Sequence, residues 1–295
     1  MSERESLTIE RPVGVPEPAP EPRERRLLFS PWHLVLLPIA IVMLIPLAWM
    51  LVTSVETLNE TRQFPPILVP SGIQAHNYSD VLRQAPFARW FLNTAIVTVA
   101  SVAGNLLFCS LAGYAFARIR FIGRDAVFIL ILATLMIPFQ VVMIPTFLIV
   151  RKLGLIDTLG ALVLPNLAGA FGIFLLRQFF RTLPIELEEA ARIDGASRLG
   201  ILFKIVLPLS GPVLATLAVV TFMWEWNDFL WPLITLYTPS HYTLQVGLTT
   251  FQGAHQTNTH LLMAANVMSM APILVLFFVA QRYFIRGIAT SGLKG

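Results

Sequence analysis

Charged residues are scarce in this sequence of 295 residues. Asp, Glu, Lys and Arg make up 13% of the chain and hydrophobic residues 56%, whereas an ordinary soluble domain carries roughly 25% charged residues. This composition excludes a soluble, fibrous or wholly disordered protein and indicates a membrane protein. The net charge of +4 is small and scattered, so we expect no nucleic-acid partner.

Groups that carry chemistry are also missing. Cys109 is the single cysteine, which excludes an internal disulfide, and we expect this thiol to fill space in an apolar core. The apolar runs contain no histidines at metal-ligand spacing and no pair of a nucleophile with its base, so an intramembrane enzyme is not indicated. The sequence has no GxxxxGK[ST] loop for ATP either. We therefore predict no catalytic residue, no metal site and no cofactor bound by this chain.

What the sequence does contain is a series of long runs without Asp, Glu, Lys or Arg. A helix needs about 20 apolar residues to cross about 30 Å of hydrocarbon, and five runs and the end of a sixth meet this length. The prediction is an all-α membrane protein with six transmembrane helices. They lie at Leu27–Val55, Trp90–Ala117, Ala126–Val150, Thr158–Leu176, Ile205–Trp224 and Leu262–Gln281.

The segments outside the runs predict domain organisation and orientation. Residues 1–26 combine prolines, glutamates and arginines and are expected to form a disordered arm. Residues 27–286 form the six-helix transmembrane domain, and residues 287–295 form a tail. With both termini inside, 16 Lys and Arg lie in cytoplasmic segments and 5 in external ones. Basic residues favour the cytoplasmic side, so we expect both termini to be cytoplasmic.

Residues 182–208, between the fourth and fifth predicted helices, have the pattern of two short helices with a sharp turn. Gly195 permits a left-handed turn between them, and Ser197 is suited to capping the second helix. Ala190 and Ala191 leave a thin surface that another subunit could approach closely. A rigid element of this kind outside the membrane is what a separate motor subunit would push.

This segment resembles the EAA loop of bacterial ABC importer permeases, EAA-x3-G-x9-I-x-LP, with every fixed position filled. Further motifs resemble the carbohydrate branch of that family. They are Asn93-Thr94, Ala112 to Arg118, Met136 to Pro138 and Trp226 to Phe229. The closing Ser291 to Gly295 is similar to the tail of subunits like the maltose permease G component.

The resemblance implies a type I ABC importer permease fold with cytoplasmic EAA coupling helices. It implies a permease subunit that imports a sugar or oligosaccharide and forms half of the translocation pathway in a bacterial inner membrane. The implied partners are a second, homologous permease subunit, two cytoplasmic ATPases that bind ATP and Mg, an external solute-binding protein and membrane lipid. ATP hydrolysis would be carried out by the ATPase partner, so this chain is not expected to be an enzyme.

The resemblance also implies site residues. Those expected to couple the chain to the ATPase are Glu189, Ala190, Ala191, Asp194, Gly195, Ile205, Leu207 and Pro208, and Lys294 and Gly295 in the tail are expected to contact it as well. Near the predicted external end of the fifth helix, Glu225, Trp226, Asn227 and Asp228 place acids among aromatic rings. They are candidates for the substrate pathway, although an interfacial aromatic belt explains the same residues. The uncharged loop from Thr235 to His260 is expected to face the binding protein.

Other solutes stay open at this point. The EAA loop does not distinguish a sugar permease from an ABC permease for a polyol phosphate, a peptide or an amino acid. A more remote alternative is a secondary transporter, which would work without an ATPase.

Overall fold

The computed structural model describes residues 32–253 and 257–291, with side chains as far as Gln281. The predicted arm and the tail residues Lys294 and Gly295 lie outside these ranges. Within them the regular structure is helical and contains no strand beyond one isolated bridge pair, as the composition predicts. The α-helices are α1 His33–Thr53, α2 His76–Gln84, α3 Phe87–Arg118, α4 Arg124–Thr134, α5 Phe139–Lys152, α6 Gly160–Val163, α7 Ala170–Thr182, α8 Glu186–Ile193, α9 Arg198–Ile201, α10 Leu207–Leu209, α11 Gly211–Asn227, α12 Leu230–Thr235, α13 Leu244–Leu248 and α14 Thr259–Ser291.

The chain divides into two compact units, residues 1–46 and 47–295. The described part of the first unit is the beginning of α1, an apolar helix with prolines at positions 38 and 46. The second unit contains the remaining helices, and the features discussed below all lie in it.

Four helical segments are long and apolar enough to cross a membrane. They are His33–Thr53, Phe87–Arg118, Gly160–Thr182 and Thr259–Gln281. Two bent helix pairs bring the number to six if each pair is one span: α4 with α5, and the stretch Arg198–Leu209 with α11. The described residues therefore support four to six spans.

Two of the predicted continuous spans are broken. The run Ala126–Val150 becomes α4 and α5, which meet at 104°, and the start of Ile205–Trp224 meets α11 at 83°. Proline explains both breaks, since its ring removes a backbone donor and disfavours helical geometry in the residue before it. Pro138 directly precedes α5, and Pro212 lies in the first turn of α11.

Helix α3 is the centre of the second unit and packs along α7 and α11. Small residues permit the close approach. A Cβ atom on Gly113 would lie 3.1 Å from the backbone nitrogen of Arg177, and one on Gly172 would lie 2.7 Å from the sulfur of Cys109. Cys109 is fully buried, which confirms the prediction that it fills the core.

The apolar core has three clusters, of which two lie at the ends of α3 and the third includes Val97, Leu162 and Trp231. One cluster lies near the carboxyl end of α3 and includes Tyr114, Leu176, Phe180 and Leu202. Another lies near its amino end and includes Trp90, Trp226, Leu244 and Leu261. Functional features occur beside each cluster.

Candidate coupling site and cavity

The segment 182–208 contains α8, a turn and α9, and α9 continues through a π-helical stretch, Leu202–Val206, into α10. Helix α8 ends at Ile193, and Gly195 follows with a φ of 81°, a left-handed conformation that strains residues with a Cβ. The hydroxyl oxygen of Ser197 accepts a 3.1 Å hydrogen bond from the backbone N–H of Gly200 and so caps α9. The local geometry of the turn therefore follows from these two residues.

A buried ion pair fixes α8 to α3. The Nε atom of Arg118 lies 2.7 Å from Oε1 of Glu188, and the side chains are 10% and 2% exposed. The Tyr114 hydroxyl donates a 3.0 Å hydrogen bond to Oε2 of the same carboxylate. Both groups lie on the last two turns of α3. The start of α8 is thus held on the carboxyl end of α3.

Arg118 holds the end of α7 as well. Its Nη2 atom donates to the carbonyl oxygens of Phe180 and Leu183, at 2.7 and 2.6 Å. These carbonyls lie in and just after the last turn of α7, where no intrahelical donor is available. One guanidinium therefore joins α3, the end of α7 and α8.

Sequence reasoning did not identify this anchor. Glu188 directly precedes the Glu189 that the EAA pattern names, and Tyr114 and Arg118 belong to the motif that closes α3. The signal was an acidic residue inside an otherwise apolar face of α8, together with a Tyr and an Arg four residues apart. Nothing in the sequence alone paired the two motifs.

The predicted coupling residues divide between an exposed surface and a buried support. Glu189, Ala190, Asp194, Gly195 and Pro208 are exposed. The support is formed by Ala191 and Leu207, which pack against the core cluster at this end, and by the half-buried Ile205.

Apolar side chains around the turn are not covered by any described part of the chain. Ile193 is 87% exposed and Leu199 is 60% exposed. They lie beside the exposed residues Glu189, Ala190 and Asp194. A mixed surface of this kind is typical of a place where another protein binds.

A cavity of about 460 Å³ lies among the helices at the breaks in their spans. Glu225 and Asp228 contribute carboxylates, and Trp224, Trp231 and Phe139 contribute aromatic rings. The remaining wall consists of Pro165 and Asn166. Two of the four residues predicted for the substrate pathway thus line one cavity.

The other two predicted pathway residues lie differently. Trp226 is buried, donates from its indole N–H to the carbonyl of Ser269 at 3.1 Å and stacks on Phe222. Asn227 is exposed and donates to the carbonyl of Met223. Trp226 therefore fastens α11 to α14. It is Trp224, two residues earlier, that contributes a ring to the cavity wall.

Broken helices create this cavity. Phe139 begins α5 directly after the break at Pro138, and Asn166 ends a short 3-10 helix within the fourth span. The side-chain amide of Asn105 on α3 donates to the carbonyl of Asn166 at 3.2 Å. Such a bond satisfies backbone that leaves regular helix inside a membrane.

A hydrogen-bonded loop contact lies near the amino end of α3. The carboxylate of Asp157 accepts bonds from the backbone N–H groups of Tyr237 and Thr238, at 2.9 and 3.0 Å. It also accepts one from the Thr238 hydroxyl. These bonds to the charged form hold the pKa of Asp157 well below its usual range. The loop before α6 is thereby fastened to the loop after α12.

No group of three or more His, Cys, Asp or Glu side chains is positioned to hold a metal ion in the part of the chain that the structure describes.

Comparison with known proteins identifies the family. Residues 109–290 match the model of the binding-protein-dependent transport system inner membrane component. The chain belongs to this family. It is accordingly an ABC transporter permease subunit, and its match covers the α8–α9 turn and the cavity.

Individual relatives agree with this assignment along most of the permease. This permease is 39% identical over 260 residues to an arabinooligosaccharides transport system permease protein of Halalkalibacterium halodurans, and the alignment covers 87% of this chain and 93% of the relative. It is 36% identical over 267 residues to an sn-glycerol-3-phosphate transport system permease protein of Pectobacterium atrosepticum, covering 88% and 95%.

Solved structures share the fold. The permease is similar to a chain from a bacterial ABC transporter involved in the import of the acidic polysaccharide alginate. The TM-score is 0.77, the identity 30%, and the alignment covers 88% of this chain and 99% of that one. A second structure, of the alginate transporter in complex with an alginate pentasaccharide-bound periplasmic protein, has a TM-score of 0.60 at 19% identity, covering 84% and 92%.

Proposed function

We propose that the permease imports a sugar or oligosaccharide and forms half of the translocation pathway. It crosses a bacterial inner membrane six times with both termini in the cytoplasm, counting each bent helix pair as one span. A second permease subunit forms the other half, two cytoplasmic ATPases bind ATP and Mg, and an external binding protein delivers the solute. Relatives named for arabinooligosaccharide and alginate transport support the solute class.

The observation that carries the proposal is the α8–α9 turn. Its exposed Ile193 and Leu199 offer an apolar surface, while Glu188 and Arg118 fix the same helix to the core. A coupling element needs both properties, because a partner must bind to its surface and its movement must be transmitted to the membrane-spanning helices. Glu189, Ala190, Asp194 and Gly195 form the surface that meets the ATPase.

Movement of α8 would reach the spans through one residue. Arg118 contacts Glu188 of α8 and the last carbonyls of α7, and it is itself the last residue of α3. A displacement of the turn by the ATPases therefore shifts α3 and α7 together. Asn105 lies on α3 and bonds to Asn166, which belongs to the same candidate span as α7, so the cavity would change with these helices.

The chemistry of the cavity suits a hydroxylated solute. Carboxylates at Glu225 and Asp228 accept hydrogen bonds from hydroxyl groups, and the flat rings of Trp224, Trp231 and Phe139 offer faces for apolar sugar faces to stack on. In the part of the chain that the structure describes, no Lys or Arg lines this wall, which makes it less suited to a phosphate. The relative named for sn-glycerol-3-phosphate transport nevertheless makes a polyol phosphate the second candidate. Uptake of a labelled pentose oligosaccharide and of glycerol phosphate, measured side by side, separates the two.

The coupling role is tested by changing the exposed surface of the turn. We expect Ile193→Asp and Gly195→Asp to abolish co-purification with the ATPase subunit and sugar-stimulated ATP hydrolysis, with membrane insertion intact. Leu153→Asp is the matched control, since Leu153 is a similarly apolar, 57% exposed residue outside the turn. Normal ATPase association in Ile193→Asp would contradict the assigned surface. Ala191→Asp should also uncouple, although Ala191 packs on the core and its variant needs a folding control.

The orientation is tested by reporter fusions. A reporter after Asp157 should be external, and reporters after Ser197 and at Gly295 should be cytoplasmic. A cytoplasmic reporter at Asp157 would contradict the six-span arrangement.

A further inference from the structure

A group of arginines surrounds the short turn between α3 and α4, and the transport function does not use it. Arg120 lies in the turn and Arg124 begins α4. Both line a cleft of about 360 Å³, together with Phe121, Gly123, Asp125 and Ala126. On the neighbouring α7, Arg181 lies within electrostatic range of Asp125.

The charges in the cleft do not balance. Asp125 is the single acid of its wall, and Arg124 already binds it with Nε at 2.9 Å and Nη2 at 3.3 Å. Arg177 approaches the same carboxylate at 3.9 Å. Arg120 is exposed and makes no ion pair or hydrogen bond to the described part of the chain. The cleft therefore has an excess of positive charge with donors to spare.

The position of the turn places this charge at the membrane surface. Candidate membrane-spanning helices end at Arg118 and begin again at Arg124. Between them, Ile122 is fully exposed and Phe121 is 42% exposed. Apolar side chains beside arginines at the end of a span are suited to the boundary between acyl chains and headgroups.

We propose that this cleft binds the phosphate group of an anionic phospholipid. Arg120 would hold the phosphate through its paired N–H donors, which match phosphate geometry. Arg124 would add positive charge and the N–H donors that Asp125 does not occupy. Phe121 and Ile122 would lie among the acyl chains of the same lipid. The place of the turn between two candidate membrane-spanning helices favours a lipid over the acidic surface of a soluble partner.

Lipid retention by the full-length chain in detergent tests the proposal. Native mass spectrometry with phosphatidylglycerol or phosphatidylcholine of identical acyl chains should show preferential retention of phosphatidylglycerol. Arg120→Gln should weaken that retention about fivefold, because a basic residue near an anionic surface contributes about 1 kcal/mol. Retention of phosphatidylglycerol by Arg120→Lys should lie between that of the unchanged chain and that of Arg120→Gln. Arg151→Gln is the matched control, since Arg151 is also exposed but lies at the far end of α5.

Three results would overturn the proposal. They are equal retention of the two lipids, an equal effect of Arg120→Gln and Arg151→Gln, and displacement of phosphatidylglycerol by millimolar inorganic phosphate. The last result would assign a site for a free anion instead. Arg120 has no hydrogen-bond or ion-pair partner among the described residues, so the variant should keep its unfolding temperature in phosphatidylcholine micelles. The outcome does not depend on which solute the permease imports.

Discussion

The two ends of α3 are held together by different kinds of interaction. At its carboxyl end, which we call the coupling end, the buried ion pair of Arg118 and Glu188 joins three helices. At its amino end, which we call the loop end, Trp90 and Asn93 donate to backbone carbonyls of residues 239–242. The loop end thus relies on hydrogen bonds from uncharged side chains, whereas the contacts of the coupling end centre on one buried charge pair. We call this charge pair the joint of the coupling end.

Loss of that joint should have the largest effect. Glu188→Gln leaves the Arg118 guanidinium buried without its counter-charge, a change that typically costs about 3–5 kcal/mol. We expect a markedly lower unfolding temperature in detergent and loss of coupling between transport and hydrolysis. The exposed neighbour provides the control, since Glu189→Gln should leave stability unchanged.

A double-mutant cycle separates the pair from general damage at the coupling end. Arg118→Gln alone also removes the bonds to Phe180 and Leu183, so it should cost more than Glu188→Gln. The double variant should cost less than the sum of the two single variants. Additive effects would show that the pair is not the joint.

The loop end should respond less to a single change. Asn93→Leu removes two hydrogen bonds, to the carbonyls of Ser240 and Tyr242, and leaves those acceptors without this donor. The expected cost is about 1–3 kcal/mol, and Trp90 still fastens the same segment through Pro239. Solute uptake should fall less than it does in Glu188→Gln at equal membrane level. An equal fall would remove the distinction between the ends.

The sequence predicted the helices and the turn but not the joints between them. Gly195 and Ser197 could be predicted because a left-handed turn and a helix cap depend on residues close in the chain. The bonds of Glu188 reach Tyr114 and Arg118 across 70 or more positions, and a single sequence does not report such distances. The same limit explains why the buried position of Trp226 was not predicted. Its contact with Ser269 is determined by the packing of α11 on α14.

The breaks in the spans were partly predictable. A proline inside an apolar run favours a bend, and the structure has breaks beside Pro138 and Pro212 where unbroken spans were predicted. The sequence did not indicate that Phe139 and Asn166 would line one cavity with Glu225. Which sides of the helices face each other depends on the bends of 104° before α5 and 83° before α11, and the sequence does not give these angles.

A pH titration sharpens the comparison at the loop end. The pKa of Asp157 is lowered in the folded protein. The contribution of this carboxylate to the stability of the fold is therefore fully present above the unfolded-state pKa of about 3.9. It is lost as the pH falls through the lower folded-state pKa. Hydrogen exchange at the Tyr237 and Thr238 amides should therefore accelerate only in strong acid. Asp157→Asn should show no such acid step, and an unchanged acid step in that variant would assign the titration to another group.

The smallest loss of stability is expected from substitutions of Gly195, which lies in the turn that presents the proposed coupling surface. Gly195 has a φ of 81°, and a Cβ atom built on it would have no neighbour within 4 Å. Gly195→Ala therefore costs only backbone strain, about 1–2 kcal/mol, and Gly195→Asn costs less because Asn adopts this conformation more readily. We expect ATPase association to fall in the order Gly, Asn, Ala, while the unfolding temperature changes far less than in Glu188→Gln. Reversal of Asn and Ala would mean that side-chain bulk against the ATPase, and not backbone conformation, limits this turn.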